Sequence, residues 1–256
     1  YNVANLNSKA KFGNFYTYIN SFDIFFLHET HVLKEKRSNF TQFFNDFVLC
    51  WVDATKNNVM GRAIGGGLYG FKKILQKKLC LKFLETTNGI TLLCKLNDVN
   101  FHFIPCYLSG TSWSNDFGKL KQSINNLKEV PFCILGDLNA RVSDSQILDS
   151  ELLVDCPSMC NIRKSKDIVL DSKGRQLLNF LEDCGGVIVN GRVIGDSKGE
   201  KTFCGVMGSS VIDYCICSFN LLTFLSDFHI LPKPFSDHMP LVMSFSFRGS
   251  PLSKDI

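Results

Sequence analysis

About a dozen short apolar runs, rich in β-branched and aromatic residues, dominate this sequence and are separated by turn-forming residues. Runs of this length and composition are typical of half-buried strands, and a chain that has many of them must pair them into sheets. We predict strands over residues 1–4, 22–28, 47–52, 67–71, 90–96, 100–107, 132–135, 187–190, 202–204, 211–217, 225–231 and 240–247. No run approaches the roughly 18 apolar residues of a membrane span.

Three segments, residues 8–20, 114–127 and 171–184, have the apolar spacing of helices that cover a sheet. The last of them is followed by Gly185 and Gly186, a common helix stop. Residues 140–170 lack such a period and carry many charges, which favours a long surface loop. Many strands with few helices predict an α+β architecture of layered sheets. The chain has 256 residues without repeats or a composition shift, so we expect a single domain.

Composition narrows the class of protein. Hydrophobic residues make up 45% of the chain, which excludes a largely disordered protein, and the net charge of +4 permits an anionic partner without requiring one. The eleven cysteines are odd in number and lie mostly in apolar runs, so we expect reduced, buried thiols in an intracellular protein. Because the sequence starts at Tyr1, we expect it to begin inside a longer reading frame.

Polar side chains follow two of the predicted strands directly. Glu29 ends the first of these runs, where a carboxylate suits a hard cation such as Mg²⁺; the alternative is a turn or helix cap. Asp137 and Asn139 follow residues 132–135 across Gly136. There Asp137 can orient or deprotonate a water and Asn139 can donate to a phosphate oxygen, although an Asp/Asn turn is an equally simple reading.

Asp213 lies among apolar residues, where a buried carboxylate is costly without a partner. His238 is a natural partner, because an Asp–His pair selects the imidazole tautomer and stabilises its charged form. The alternative is an acid at a strand end that faces water.

The order of these segments along the chain resembles the endonuclease/exonuclease/phosphatase superfamily. Within it, the sequence is most similar to the apurinic-type endonuclease domain of non-LTR (LINE-type) retrotransposons. The similarity spans nearly the whole chain and rests on Asn2–Leu6, His28-Glu29-Thr30-His31, Gly65–Gly67, Cys106-Tyr107-Leu108, Leu135-Gly136-Asp137-Leu138-Asn139, Gly191-Arg192, Lys201-Thr202-Phe203, Ile212-Asp213-Tyr214 and Ser236-Asp237-His238.

The resemblance implies a four-layered α/β/β/α sandwich with two packed mixed β-sheets. It implies a catalytic domain over residues 1–248, followed by a tail over residues 249–256. The implied reaction is hydrolysis of a DNA phosphodiester with Mg²⁺ or Mn²⁺, so that one strand is nicked. The implied protein is a nuclear monomer without membrane contact, whose partners are DNA and a reverse transcriptase domain of the same polyprotein.

The resemblance also implies a role for each site residue. The implied metal ligands are Glu29, Asn2 and Asp237. Asp137 is implied to align or deprotonate the attacking water. Asn139 and Tyr107 are implied to contact the phosphate. His238 is implied to stabilise the phosphate, and Asp213 to orient His238. The implied supporting hydroxyls are those of Thr202 and Ser236.

The chain departs from the family pattern after Asn2. The family often has an acid or amide and then glycine where this chain has Ala4 and Asn5. The lost polar group can weaken metal binding, whereas asparagine tolerates the left-handed backbone that the glycine would adopt. A shifted register, with Asn5 as the site residue, is the alternative.

Basic residues and Trp113 suggest weaker candidates for contacts with DNA. Arg62, beside a glycine-rich segment, and the pair Lys72 and Lys73 can contact phosphates, although solvated surface is the simpler reading for the lysines. We expect Trp113 to pack at a helix start.

Two other functions stay open at this point. One is a different Mg²⁺-dependent phosphoesterase of the same superfamily, such as an RNA deadenylase, a DNA-repair phosphodiesterase or an inositol or lipid phosphatase. The other is a degenerate, non-catalytic nucleic-acid-binding domain, suggested by Ala4.

Overall fold

Strands make up most of the ordered framework. The computed structural model describes residues 1–56, 61–87, 89–96, 99–128, 130–156, 158–233 and 235–246, apart from the side chain of Ala10. The strands in this part of the chain are β1 (Ile24–His28), β2 (Phe47–Val52), β3 (Gly67–Lys72), β4 (Lys82–Thr86), β5 (Gly89–Leu96), β6 (Val99–Tyr107), β7 (Phe132–Asp137), β8 (Gly186–Ile188), β9 (Phe203–Gly205), β10 (Gly208–Ser210), β11 (Asp213–Ser218), β12 (Leu225–Ile230) and β13 (Leu241–Phe245).

Helices are fewer and mostly short. Those described are α1 (Phe15–Asn20), α2 (Ser38–Thr41), α3 (Leu75–Lys78), α4 (Trp113–Leu127), α5 (Ser172–Cys184) and α6 (Phe219–Leu222), with 3-10 helices at Leu6–Lys11, Lys34–Lys36, Ser150–Leu153 and Ile194–Asp196. The Asp171 carboxylate caps α5 by accepting from the Gly174 amide, and Gly185 ends it with a left-handed φ of 66°. Within the described residues, no helix has both the length and the apolar character to cross a bilayer.

Two main sheets form the centre of the molecule. The larger has the order β4-β5-β6-β7-β11-β8 and is mixed, because β6 and β7 run parallel while its other neighbours are antiparallel. The smaller, β1-β3-β2, is antiparallel, and Asn2 adds a parallel bridge to His28 at its β1 edge. The hairpins β9–β10 and β12–β13 complete the strand pairing of the described chain.

Three apolar cores separate four layers. Leu92, Phe103 and Leu135 belong to the core between the sheets. The α4 and α5 helices cover the outer face of the larger sheet through a second core, and α1 with α2 covers the smaller sheet through a third. Because strand side chains alternate between faces, β7 and β11 contribute to both the inner and the outer core. The predicted α+β sandwich is therefore confirmed, with the smaller sheet antiparallel in its strands.

Several predicted elements differ in detail. Residues 1–4 do not form a strand, since Asn2 alone pairs with a neighbour. The predicted helix at 8–20 is divided into a 3-10 helix and α1, because Gly13 and Asn14 are poor helix formers and interrupt it. The short strands β4 and β10 were not predicted: β4 is half-exposed, and β10 consists of Gly208 and two serines. Residues 247–256, including the predicted tail, lie outside the described residues.

The predicted loop at 140–170 is irregular apart from its 3-10 helix, yet it is firmly anchored. The Arg163 guanidinium, which belongs to this segment, is buried and donates to the carbonyl oxygens of Ser143 and Ser145. The Arg192 guanidinium donates to the carbonyl oxygen of Asn161 at 2.6 Å. The Arg163 contacts brace the segment internally, whereas Arg192 and the core side chains of Leu153, Cys156 and Met159 hold it to the sandwich.

Candidate active site

Strand ends bring the polar residues together. Tyr107 at the end of β6 is in register with Asp137 at the end of the parallel strand β7, and Asp213 at the start of β11 lies opposite Asp137. The carboxyl ends of parallel strands meet at one edge of a sheet, which is where ligands bind in many mixed sheets. A cleft of about 510 Å³ opens there, and its lining includes Asn2, Glu29, Tyr107, Asp137, Asn139, Asp237 and His238.

The turn after β7 aims two residues at the cleft. Gly136 has a φ of 138°, and a Cβ there would lie 2.1 Å from the carbonyl oxygen of Cys106, so a larger residue does not fit. The backbone amide of Asn139 donates to Asp137 Oδ1 at 3.0 Å. The Asn139 carboxamide Nδ2 donates to the carbonyl oxygen of Leu108 at 2.8 Å, which fixes the position of its side chain at the cleft wall.

His238 lies between two carboxylates. Its Nδ1 is 2.9 Å from Asp213 Oδ2, and its Nε2 is 3.8 Å from Asp137 Oδ2. The pairing of Asp213 with His238 that the sequence suggested is therefore present. Thr202 Oγ1 accepts the backbone amides of Ile212 and Asp213, each at 3.0 Å, and so holds the start of β11 in place.

Burial and neighbouring charges shift the pKa values of Asp137 and His238. Burial and the negative charge of Asp213 raise the pKa of Asp137 to about 7, against the opposing effects of His238, Asn2 and the Asn139 amide. Burial opposes protonation of His238, but the charge and hydrogen bond of Asp213, with a contribution from Asp137, raise the pKa of His238 overall. Near neutral pH the pair can therefore exchange a proton with a bound molecule.

Asn2 faces the cleft and contacts Asp137. Its Nδ2 donates to Asp137 Oδ2 at 3.2 Å, while its Oδ1 accepts the Ala4 amide at 3.1 Å. Asn5 has a φ of 86°, and its side chain accepts from the Asn7 amide at the start of the first 3-10 helix. The left-handed backbone expected at Asn5 is present, and it is Asn2, not Asn5, that lines the cleft.

Glu29 presents an unsatisfied oxygen. Its Oε2 pairs with His31 Nε2 at 2.7 Å, while its Oε1 is buried without a hydrogen-bond partner. Burial and the negative charges of Glu29 and Asp137 raise the pKa of Tyr107, whose hydroxyl stays protonated. A buried, unpaired carboxylate oxygen beside other carboxylates is costly unless a cation neutralises it, and oxygen donors suit Mg²⁺ or Mn²⁺. These residues therefore fit a divalent metal ion.

The remaining predicted residues are less uniform in placement. Ser236 Oγ accepts the His238 amide at 3.4 Å, and the exposed Asp237 lies at the rim of the cleft. Arg62 Nη2 lies 3.5 Å from Nδ1 of His31, which lines the cleft.

Lys72 and Lys73 lie at the opposite end of β3 from His28 and Gly67. Lys72 pairs with Asp23 at 3.0 Å and Lys73 donates to the carbonyl oxygen of Asn45 at 2.7 Å. The structure does not bring these lysines to the cleft, because the antiparallel pairing of β3 with β1 points them the other way.

Several cleft residues had no role in the sequence analysis, among them Arg141, Phe203 and His31. Arg141 lines the cleft and donates to both carboxylate oxygens of the buried Asp167, at 2.8 and 2.5 Å. The Phe203 ring packs on the His238 imidazole with centroids 5.0 Å apart, and His31 pairs with Glu29 as described. The Glu-x-His spacing was a usable signal for His31, whereas Arg141 and Asp167 are 26 residues apart with no local pattern.

Comparisons with known proteins agree with this fold. No protein-family model and no curated protein matches the sequence. Among solved structures, the AP endonuclease LMAP from Leishmania major matches with a TM-score of 0.73 and 14% identity, over 96% of this chain and 86% of that chain. A 3'-5' exonuclease (NExo) from Neisseria meningitidis matches with a TM-score of 0.63 and 17% identity, over 96% and 98%.

A third structure is described as the 3' phosphatase NExo from Neisseria bound to a product DNA hairpin. It matches with a TM-score of 0.63 and 17% identity, over 96% of this chain and 97% of that chain. The chain therefore shares the fold of these AP endonuclease and exonuclease structures.

Proposed function

We propose that this chain is a divalent-metal-dependent phosphodiesterase that nicks one strand of DNA. The observation that carries the proposal is the position of His238, held by Asp213 and 3.8 Å from Asp137, at the strand ends of this fold. Hydrolysis of a phosphodiester needs an activated water, a stabilised oxyanion and a stabilised leaving oxygen. The residues in the cleft offer a group for each of these needs.

Each residue has a distinct part in this proposal. Asp137, fixed by Asn2 and the Asn139 amide, orients a water and accepts its proton. Protonated His238 and the Tyr107 hydroxyl donate to phosphate oxygens, where negative charge develops. Glu29 with Asp237 and Asn2 would hold Mg²⁺ or Mn²⁺, which as a Lewis acid would neutralise charge at the phosphate and at the leaving oxygen.

Two features of the cleft surroundings support DNA as the substrate. The turn of the β9–β10 hairpin exposes Val206 and Met207 completely, at 108% and 102% of their reference areas. Exposed apolar side chains of this kind can insert between base pairs, while cations such as Arg62 and Arg141 contact phosphates. The similar structure with a bound DNA hairpin supports the same class of substrate.

The finer part of the proposal is a nicking activity of the non-LTR (LINE-type) retrotransposon kind. Its support is the order of the motifs from Asn2 to His238. In this proposal one catalytic domain, residues 1–248, acts as a monomer in the nucleus and works with a reverse transcriptase domain of the same polyprotein.

A plasmid assay tests the central claim. Supercoiled plasmid is incubated with the purified chain and Mg²⁺ or Mn²⁺, with and without EDTA, beside the Asp137→Ala variant and mock-purified extract. We expect open-circular product with metal and none with EDTA or the variant. Equal nicking by the wild type and Asp137→Ala, above the mock level, would contradict the proposal. Mapping the nicks then tests for the target-site preference expected of a retrotransposon enzyme.

A substrate panel tests the other phosphoesterases of the superfamily. The similar structures are described as an AP endonuclease, a 3'-5' exonuclease and a 3' phosphatase. Duplexes with an abasic site or a 3'-phosphate, a poly(A) RNA and an inositol phosphate should therefore be compared with intact plasmid. Preference for any of them replaces nicking as the function. If metal ions change neither cleavage nor thermal stability, the chain is a non-catalytic binding domain.

A further inference from the structure

Three cysteines form a cluster in the core between the two sheets. Cys133 lies on β7, and Cys215 and Cys217 lie on β11, all fully buried. The Sγ–Sγ distances are 3.8 Å from Cys133 to Cys215, 3.9 Å from Cys215 to Cys217, and 3.4 Å from Cys217 to Cys133. All eleven cysteines of the chain are free thiols. The cluster has no part in the cleft chemistry described above.

A fourth sulfur lies beside the cluster. Met243 Sδ, on β13 of the β12–β13 hairpin, is 4.0 Å from Cys215 Sγ. Thiols and a thioether are soft ligands, and in proteins they select ions such as Zn²⁺ and Cu⁺ over the hard Mg²⁺. Free cysteine is often buried as a small apolar side chain, so burial alone does not mark a site. The distinguishing feature here is that four sulfurs from separate strand pairs lie in contact.

We propose that Cys133, Cys215, Cys217 and Met243 form a binding site for one thiophilic cation, Zn²⁺ or Cu⁺. Sulfurs bound to a tetrahedral ion at about 2.3 Å lie about 3.8 Å apart. The three Sγ–Sγ distances and the Met243 contact match that separation within a few tenths of an ångström. The backbone pairing of β7 with β11 already holds these sulfurs, so little rearrangement is needed for an ion to bind.

Ion binding at this site releases protons. Cysteine binds metal ions as the thiolate, so each thiol that becomes a ligand releases its proton to solvent. Three thiolates exceed the charge of Zn²⁺ by one and that of Cu⁺ by two, while Met243 binds as a neutral thioether. Zn²⁺ therefore leaves the smaller uncompensated charge in the apolar core.

The site would couple to the cleft through the backbone. Cys133 precedes Asp137 by four residues on β7, and Cys217 follows Asp213 by four residues on β11. An ion bound here links the two strands that carry the cleft carboxylates. Met243 also lines a cavity of about 570 Å³, together with Cys94, Phe103 and Leu135.

Metal retention tests the site. The chain is purified with a reductant in a background where the exposed thiols are removed (Cys80→Ser, Cys160→Ser and Cys204→Ser). After EDTA treatment it receives Zn²⁺ in one arm and Cu⁺ in the other, with excess Mg²⁺ to occupy oxygen sites. We expect one ion per chain after gel filtration in at least one arm. The melting temperature should rise there by about 5 °C.

Matched variants locate the ion. Cys217→Ala should abolish retention, and Met243→Leu, which preserves packing, should weaken it. Cys94→Ala removes another buried thiol of the same core and should retain the ion. X-ray absorption at the metal edge gives a readout independent of any variant's folding, and three or four sulfur ligands are expected. Retention in neither arm, equal retention in Cys217→Ala, or a shell of nitrogen and oxygen ligands would overturn the proposal.

Discussion

One pair of strands carries two chemically different triads. At one end of the β7–β11 pair, Asp137 and Asp213 face each other, and four residues further along Cys133 faces Cys217. Side chains four residues apart on a strand share a face, so both triads project toward the space between the sheets. In the carboxylate triad, Asp137 and His238 line the cleft and Asp213 is buried against His238, whereas the thiol triad is closed within the apolar core.

The difference shows what distance from solvent does to the same backbone geometry. Near the cleft, buried carboxylates are tolerated because loops supply groups that pair with them. Asn2, the Asn139 amide and His238 lie around Asp137, and His238 pairs with Asp213. Four residues deeper the side chains lie in the apolar core, and thiols are suited to that position since they tolerate an apolar setting. Substitutions in the carboxylate triad should therefore reduce activity, whereas substitutions in the thiol triad should mainly change core packing.

Asp137→Asn should have the largest effect on activity. It removes the group proposed to accept the water proton, so the rate of plasmid nicking with Mg²⁺ should fall by roughly 10³-fold or more. Asp23→Asn, an exposed carboxylate at the far end of the smaller sheet, is the matched control and should keep the wild-type rate. A fall of less than tenfold for Asp137→Asn would remove Asp137 from the proposed mechanism.

Asp137→Asn should increase the stability of the folded chain although it reduces activity. The folded-state pKa of Asp137 is raised to about 7, so ionisation is less favourable in the folded chain than in the unfolded chain. In EDTA, wild-type stability should fall as pH rises from about 4 to 7, and Asp137→Asn should lack this decline. Above pH 7 the variant should be more stable by roughly 2–4 kcal/mol, measured by urea unfolding.

Asp213→Asn should reduce the nicking rate by roughly 10²-fold, because His238 loses the carboxylate that orients and charges it. The sign of the pH effect follows from the raised pKa of His238. Without Asp213 that pKa falls, so protonated His238 is lost at lower pH and the alkaline limb of the rate–pH profile should move toward acid. An unmoved profile would show that His238 does not act in its protonated form.

Thr202→Val should moderately reduce both the free energy of unfolding and the nicking rate. The isosteric change leaves the amides of Ile212 and Asp213 without their acceptor, at a cost of about 2 kcal/mol in the free energy of unfolding. Since Asp213 shifts with its backbone, the nicking rate should fall by about tenfold. Thr202→Ser keeps the hydroxyl and should restore most of both losses, whereas equal losses in the two variants would argue for packing alone.

Cys217→Ala should have the smallest effect on activity. In Mg²⁺ the nicking rate should stay within about twofold of the wild type, while the lost buried sulfur lowers the free energy of unfolding by about 1 kcal/mol. A loss of nicking that approaches that of Asp213→Asn, in a variant that is still folded, would show that the two triads are not separable.

Sequence patterns predicted the central elements well. The runs 47–52, 67–71, 100–107 and 132–135 correspond to β2, β3, β6 and β7, because buried strands require continuous β-branched and aromatic residues. The patterns failed at β10, which consists of glycine and two serines, because these residues give no local signal for a strand. They also failed at residues 8–20, where the apolar spacing is that of one helix but the chain forms a 3-10 helix followed by the short α1.

The sequence by itself determined which groups stand at strand ends, and so identified Glu29, Asp137, Asn139 and the Asp213–His238 pair as candidates. Only the tertiary structure decided which of these meet, that Asn2 rather than Asn5 reaches Asp137, and that Lys72 and Lys73 lie far from the cleft. It also revealed the Arg141–Asp167 pair and the sulfur cluster. The physical reason is that periodicity encodes burial along one strand or helix, whereas contacts between distant segments depend on sheet register and on the packing of one sheet against the other.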